Sequence, residues 1–206
     1  MTYRIGARPY LQRARDRLLD GSAESLFYAA LELRCFVEAR QDQYLEAQQQ
    51  YVRSIPKAWN IGKQGKALKD VFTGTKVQRV RWLVDGTPVF DAFHVPVAES
   101  LRNGAERMGE LLHAQPRHRD TDDPWWAETR QRIVAVYREA WFCAQGKLIS
   151  PAILHRGKAI GTLSVEYETQ DEGERLMQAM KVGERGLMRV NYMAKPPQDW
   201  LPDVMA

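Results

Sequence analysis

The chain has 206 residues, a net charge of +4 at pH 7, and hydrophobic and charged fractions of 44% and 27%. These values are typical of a globular protein of about one domain, and they exclude disorder over most of the chain. No window approaches the roughly 20 apolar residues of a membrane span, and the arginine-rich start is unlike a signal peptide. We therefore expect a cytoplasmic protein that does not contact a membrane. The two cysteines, Cys35 and Cys143, lie in apolar helical patterns and are interpreted as reduced core thiols rather than a disulfide.

Two helices are predicted at the start of the chain. The first spans 8–19 and ends at Gly21, because glycine readily adopts the left-handed conformation of a helix C-cap. The second spans about 23–52 and begins after Ser22, a favourable N-cap. Its apolar stripe thins after Ala39, where glutamines dominate. We therefore expect the distal half of this helix to project from the core or to pack on a partner.

A β-hairpin is the clearest local prediction. The segments Val77–Val84 and Thr87–Phe93 are rich in β-branched and aromatic residues, and they flank the dipeptide Asp85-Gly86. This dipeptide is a strong signal for a two-residue hairpin turn. Pro88 lacks a backbone N–H and therefore places the second strand at an edge of its sheet.

Two further long helices are predicted on either side of a polar loop. One follows Pro96 and runs to about 114, with a buried stripe that includes Leu112. The other spans about 124–145 and begins after the N-cap Asp123. A short helix is expected within 57–73. The C-terminal region contains short strands and one more helix, predicted at 152–154, 162–167, 171–182 and 187–193.

Together these elements predict an α+β fold. Residues 1–146 form a bundle of about four helices, with the β-hairpin inserted at 76–94. Residues 147–206 form a small α+β extension packed on the same unit. A lone hairpin is marginal in water, so we expect the strands of this extension to complete its sheet. The alternative, in which 147–206 is a separate lobe, stays open.

Few residue patterns point to chemistry. The sequence lacks the motifs of phosphate-binding loops, zinc sites and serine hydrolases, so no cofactor and no metal are expected. Of the four histidines, His113 is the main candidate, because it ends a predicted helix whose dipole favours the imidazolium form. Arg107 lies six positions earlier. Cleavage of RNA through its own 2′-hydroxyl requires a proton-transfer group and a cation on the phosphate, and histidine and arginine fit these catalytic roles without a metal.

The spacing of this pair has a geometric consequence. Six positions rotate by about 240° around an ideal helix, so the two side chains do not share a face. A site would need a second chain, or fraying of the helix before Pro116. In the alternative interpretation, Arg107 is a surface arginine paired with Glu106 or Glu110, and His113 is a helix-terminal cap.

Two segments of the chain resemble the HEPN superfamily of helical-bundle proteins. One reads LFYAALELRCFVE over 26–38, and the other reads MGELLHAQ over 108–115. Many members of the superfamily have an alanine-rich helix with an Arg-xxx-Glu step, which Arg34 and Glu38 match. Residues four apart meet on one helix face, so this pair either fixes helix packing or serves as an accessory site that holds a substrate phosphate.

The HEPN ribonucleases also carry an arginine, four to six residues and then a histidine, and Arg107 and His113 match this pattern. Met108 stands where a polar residue is common, and the hairpin interrupts the bundle; the resemblance covers roughly 8–145. It implies a homodimer in which two copies of the motif meet. Such a dimer would be a metal-independent endoribonuclease acting in phage defence, toxin–antitoxin pairs or RNA processing. The alternative is a catalytically inactive HEPN-like module that docks a protein partner or RNA.

Basic residues in two regions are candidates for contact with RNA. Arg79 and Arg81 alternate with Val80 and Trp82, which predicts a hairpin with one basic and one apolar face. Such a ribbon suits a nucleic-acid backbone, with Trp82 or Phe90 available for stacking. In the alternative, the sheet packs Trp82 inward and exposes the arginines to water. The second group follows the third long helix and would attract RNA electrostatically; it consists of Arg117, His118 and Arg119.

Overall fold

The computed structural model describes residues 4–49, 60–71, 76–113, 115, 117–150, 154–155, 158–159, 164–166, 169–181 and 186–202. Within these residues the chain forms six helices: α1 (Ala7–Asp20), α2 (Ala23–Glu46), α3 (Ile61–Val71), α4 (Glu99–Leu111), α5 (Pro124–Gln145) and α6 (Gln170–Lys181). It also forms five strands: β1 (Val77–Val84), β2 (Thr87–His94), β3 (Leu154–His155), β4 (Lys158–Ala159) and β5 (Gly186–Met193). The protein has a helical bundle and a three-stranded antiparallel sheet, which confirms the predicted α+β class.

Helix α2 is the centre of the bundle, because α1, α3, α4 and α5 all pack against it. The tight connection between α1 and α2 follows from two residues. Gly21 adopts the left-handed conformation, with φ of 73°, and caps α1. The Ser22 side chain accepts a hydrogen bond from the Ser25 amide at 3.3 Å and caps α2. The bundle core is apolar, and its large fully buried side chains include Leu18, Leu33, Phe36, Leu45, Leu101, Ile133 and Tyr137.

The distal half of α2 lies inside the protein. The helix ends at Glu46, so its predicted end at 52 is wrong. Arg40, Gln41 and Tyr44 are all buried. Polar residues are stable there because their side chains find hydrogen-bond partners; the Gln41 amide, for example, donates to the carbonyl of Ile61 in α3 at 3.2 Å. The expectation that this half projects from the core or packs on a partner is therefore wrong.

The sheet has the strand order β2-β1-β5, and both strand pairs are antiparallel. The β1–β2 hairpin turns at Asp85 and Gly86, whose φ angles of 49° and 81° suit a two-residue turn. Strand β2, which contains Pro88, is an edge strand as predicted. Strand β5 comes from the C-terminal segment and pairs with all eight residues of β1. The hairpin therefore belongs to a three-stranded sheet whose other edge is formed by β5.

The remaining predicted elements differ mainly at their ends. Helix α5 has the predicted bounds, and the Asp123 side chain caps it by accepting a hydrogen bond from the Trp125 amide at 2.9 Å. Helix α4 ends at Leu111 rather than near 114. Leu112 was predicted in the buried stripe of this helix, but it is 39% exposed because the helix ends before it.

The described part of the C-terminal region contains α6, β5 and the two short strands β3 and β4. The strands expected at 152–154 and 162–167 lie mostly outside the described residues, within which Val165 forms an isolated bridge with Leu148. Helix α6 and strand β5 match the elements expected at 171–182 and 187–193 to within one residue at each end. In the part of the chain that is described, no helix is both long and apolar enough to cross a bilayer.

Candidate functional site

Helices α4 and α5 pack side by side and leave a groove between them. Ser100, near the start of α4, donates a hydrogen bond from Oγ to Glu139 Oε2 of α5 at 2.6 Å. One turn further along α4, Gly104 lies against Val136, and a Cβ atom at position 104 would lie 2.6 Å from Val136 Cγ2. The missing side chain at Gly104 therefore permits the close approach that sets the spacing of the two helices.

Two arginines line this α4–α5 groove, one from each helix. Arg107 is exposed, and it makes no ion pair and no side-chain hydrogen bond with the residues that the structure describes. The alternative in which it pairs with Glu106 or Glu110 is therefore not seen among them. Arg132 donates from Nη2 to Thr129 Oγ1 at 2.9 Å, which holds its guanidinium at the groove without neutralising it. Guanidinium groups of this kind suit a phosphate, which accepts two parallel hydrogen bonds.

The groove is mixed in charge and has a volume of about 410 Å³. Two carboxylates also line it: Glu139, which already accepts the Ser100 hydrogen bond, and Glu110. Carboxylates only accept hydrogen bonds, so they suit a ligand that carries O–H or N–H donors beside its anionic group. The full lining is Ser100, Asn103, Gly104, Arg107, Met108, Glu110, Leu111, Arg132, Ala135, Val136 and Glu139.

His113 lies outside this groove. Helix α4 ends at Leu111, and His113 follows it as an exposed residue that is not part of the groove lining. The Gln115 side chain donates to the His113 carbonyl at 3.1 Å, which holds the backbone turn after the helix. Within one chain, the α4–α5 groove therefore contains Arg107 but not His113, its predicted catalytic partner. Pro116, where helix fraying was considered, lies outside the described residues.

Arg34 and Glu38 form the predicted ion pair on α2, with Nε 3.0 Å from Oε1. Both side chains are partly buried; burial raises the pKa of Glu38, and Arg34 offsets part of that rise. The guanidinium of Arg34 lies over Gly109 of α4, where a Cβ atom would collide with Nη1. This pair thus packs on the side of α4 that faces α2, whereas the groove lies on the side that faces α5.

In the 117–119 group, Arg119 and His118 each lie close to an acidic residue near the start of α5. Arg119 Nη1 lies 3.4 Å from Asp123 Oδ2, and its guanidinium stacks 4.2 Å from the ring centroid of Trp125. His118 Nε2 lies 3.6 Å from Asp120 Oδ1 on the surface. Arg117 is exposed.

The two sheet arginines have polar partners on the sheet itself. Arg79 donates from Nε to both carboxylate oxygens of Asp91, at 2.9 and 3.2 Å, and Arg81 donates from Nη2 to Asn191 Oδ1 at 3.2 Å. Trp82 and Phe90 face each other across the β1–β2 pair and lie on the opposite face, where Phe90 packs with a small apolar cluster. The arginines and the rings proposed for base stacking are therefore on different faces of the sheet.

The two basic regions are also far apart along the molecule. The 117–119 group lies at the start of α5, whereas the end of α5 meets the sheet, where Leu148 donates its backbone N–H to the Phe93 carbonyl at 3.0 Å. With 22 residues, α5 spans about 33 Å. The two regions therefore do not form one continuous surface within the described structure.

Sequence reasoning missed a buried polar cluster that joins the bundle to the sheet. Arg40 is fully buried and donates from Nη1 to Glu166 at 3.1 Å, from Nη2 to the Cys143 carbonyl at 3.4 Å and from Nε to Tyr44 Oη at 3.0 Å. The Tyr44 hydroxyl in turn donates to the Val95 carbonyl at 2.7 Å. The i, i+4 spacing of Arg40 and Tyr44 is the one local sign of this cluster in the sequence.

The ionisation of this polar cluster follows from burial and from its own contacts. Burial would lower the pKa of Arg40, but Tyr44, Cys143 and Glu166 together raise it, so the guanidinium stays charged. Burial raises the pKa of Tyr44 and of Cys143, which keeps both of them neutral. The cluster therefore contains one cation whose counter-charge is Glu166, and Glu166 is also 3.1 Å from Arg8. Its geometry is that of a structural connection.

Arg132 was also missed, because on sequence alone it is one of several charged residues on the polar side of α5. The described part of the chain contains no group of three or more His, Cys, Asp or Glu side chains placed to hold a metal ion. Comparison of the chain with protein-family models, with curated proteins and with solved structures gives no match.

Proposed function

We propose that this protein binds single-stranded RNA in the α4–α5 groove, where Arg107 and Arg132 contact phosphates of one strand. The observation that supports this proposal best is the position of Arg107. It is an exposed guanidinium in a groove, it makes no ion pair with the described residues, and a second guanidinium lines the same groove. Phosphate is the group that such a pair recognises in nucleic acids.

The carboxylates favour RNA over a simple polyanion. Glu110 and Glu139 would repel a ligand that presents only negative charge, but they accept hydrogen bonds from 2′-hydroxyls and from the exocyclic amino groups of bases. A single strand exposes these donors beside its phosphates, whereas a duplex uses the base amino groups for pairing. The mixed lining of the groove thus supports a single-stranded RNA ligand.

The test is fluorescence anisotropy with a labelled single-stranded RNA and a DNA of the same sequence. We expect Arg107→Ala and Arg132→Ala each to weaken RNA binding by about tenfold, because a charge-assisted hydrogen-bonded contact is worth about 1.5 kcal/mol or more. Arg79→Ala is the matched control, since this arginine is paired with Asp91 on the sheet. Wild-type affinity in both groove variants would contradict the proposal.

A second candidate function is the metal-independent endoribonuclease that the HEPN resemblance implies. One observation favours it: His113 is exposed just beyond the end of α4, the helix that carries Arg107. In this mechanism the histidine would accept the proton of the 2′-hydroxyl as its oxygen attacks phosphorus. The 5′-oxygen would leave as a hydroxyl after taking a proton from water, giving a 2′,3′-cyclic phosphate, and arginine would stabilise the negative charge on the phosphate.

Cleavage assays separate this function from binding. Purified protein is incubated with RNA in the presence of a chelator, beside His113→Ala. The endoribonuclease mechanism expects cleavage by the wild type, no cleavage by His113→Ala and unchanged RNA affinity of the variant. Stable RNA binding without cleavage by either protein would contradict the endoribonuclease function and support the binding function only.

A further inference from the structure

Strand β5 forms an open edge of the sheet. It pairs with β1 on one side, and none of the described strands pairs with its other side. The strand spans eight residues without proline or lysine, and both of these commonly protect natural edges from pairing with another chain. Within the described part of the chain, its outer edge therefore presents unpaired backbone N–H and C=O groups that are able to pair with another strand.

The opposite edge of the sheet is protected. Strand β2 contains Pro88, which removes a backbone donor, and helix α6 packs against this strand. Near the end of β2, the Phe93 carbonyl already accepts a hydrogen bond from the Leu148 amide. The two edges thus differ, and β5 is the one suited to an intermolecular contact.

The sequence of β5 is chemically symmetric about Val190. In an antiparallel pair of two β5 strands centred on this residue, Arg189 of each copy lies opposite Asn191 of the other. Met188 lies opposite Tyr192 in the same way, and the last pair joins Leu187 to Met193. Arg189, the one charged residue of β5, therefore does not lie opposite Arg189 of the other copy. Each apolar side chain lies opposite another apolar side chain. Cross-strand pairs of these kinds stabilise a sheet.

Exposure along the strand fits this pairing. Leu187 and Tyr192 are 57% and 53% exposed, so both present apolar surface that a second strand could cover. Met188 and Val190 already pack on the small apolar cluster under the sheet. A second β5 would cover Tyr192 with Met188 of the other copy and would join the two clusters into one.

We infer that the chain forms a homodimer through antiparallel pairing of two β5 strands about Val190, which gives a continuous six-stranded sheet. Arg79, Arg81 and Arg189 of both copies then lie on one face of that sheet, away from the apolar cluster. This interface uses no residue of the α4–α5 groove, so it is independent of the proposed RNA site.

Sedimentation velocity over a concentration series tests the interface and its register. Asn191→Arg places two arginines opposite each other twice in the dimer, and we expect it to weaken dimerisation by about tenfold. Arg189→Glu combined with Asn191→Arg creates two opposite-charge pairs in the same register and is expected to restore the dimer. Val89→Arg adds the same charge to the other edge strand and serves as the matched control. A monomeric wild type, or equal dimerisation of all variants, would overturn the inference.

Disulfide cross-linking gives a second measurement that does not depend on charge. In a Cys35→Ser background, Val190→Cys places the two new cysteines directly opposite each other, within the Cα separation of about 4.4–6.8 Å that a disulfide spans. Leu187→Cys is the control, because its two copies lie about 20 Å apart in this register. We expect an oxidised dimer with Val190→Cys alone. Cross-linking of both variants or of neither would contradict the register, whatever the result of the RNA experiments.

Discussion

His94 makes the stability of the fold depend on pH. Its imidazole is buried and donates from Nδ1 to the Leu148 carbonyl at 2.9 Å. Burial, with a smaller contribution from the positive charge of Arg40, lowers its pKa from 6.5 to about 4, although the Leu148 hydrogen bond opposes this shift. Between these two values the unfolded chain holds a proton at His94 that the folded chain has lost. The contribution of neutral His94 to the free energy of unfolding is therefore fully present above pH 6.5. It falls by about 1.4 kcal/mol per pH unit towards pH 4, a total loss of about 3 kcal/mol.

Urea unfolding at a series of pH values between 6.5 and 4 measures this loss. His94→Asn keeps an N–H donor for the Leu148 carbonyl but cannot titrate. We therefore expect the slope of its free energy of unfolding against pH to be smaller than that of the wild type, by about the amount that one bound proton contributes. His118→Asn is the control; its side chain is 90% exposed, and we expect it to keep the wild-type dependence. Equal pH dependence of the wild type and His94→Asn would refute the reasoning.

Four further substitutions test the packing in urea unfolding experiments. Arg40→Met removes the buried donor to the Cys143 carbonyl and the buried one of the two cationic partners of Glu166, and it is expected to cost about 3–5 kcal/mol. Arg8→Met removes the more exposed partner of Glu166 and should cost less than about 1 kcal/mol. A cost of Arg40→Met near that of Arg8→Met would contradict the role assigned to the buried cluster. Gly104→Ala forces a Cβ against Val136 and should cost about 1–2 kcal/mol after its gain in helix propensity; a stabilised variant would show that α4 and α5 separate easily. Arg79→Ala removes a surface ion pair and should change stability by less than about 1 kcal/mol, and a larger loss would mean that this pair supports the sheet.

The sequence predicted correctly those elements that depend on neighbouring residues, such as turns and helix caps. The hairpin follows from Asp85-Gly86, and the start of α5 follows from the N-cap Asp123. The burial of the distal half of α2 could not be predicted in this way. Its distal half is rich in glutamine, yet Gln41 is buried because α3, a distant segment, supplies the carbonyl of Ile61 as hydrogen-bond acceptor. Tertiary contacts of this kind override the local polarity pattern.

The candidate site was only partly predictable for a similar reason. Arg107 was identified from its spacing to His113, but the structure places it in a groove whose second arginine, Arg132, lies 25 positions later on another helix. Nothing in the local pattern of α5 distinguishes that arginine. The pairing of Arg34 with Glu38 was predictable from their i, i+4 spacing, whereas the packing of Arg34 over α4 was not.

The salt dependence of RNA binding tests the proposed function most directly. The association constant of a labelled single-stranded RNA is measured over a range of salt concentrations for the wild type and for Arg107→Ala/Arg132→Ala. Each phosphate contact to a single strand contributes about 0.7 to the slope of log K against log salt. We expect the double variant to bind more weakly and its slope to be smaller by about 1.4. Equal affinity and equal slope, or no RNA binding by the wild type, would contradict the proposal that this groove binds RNA.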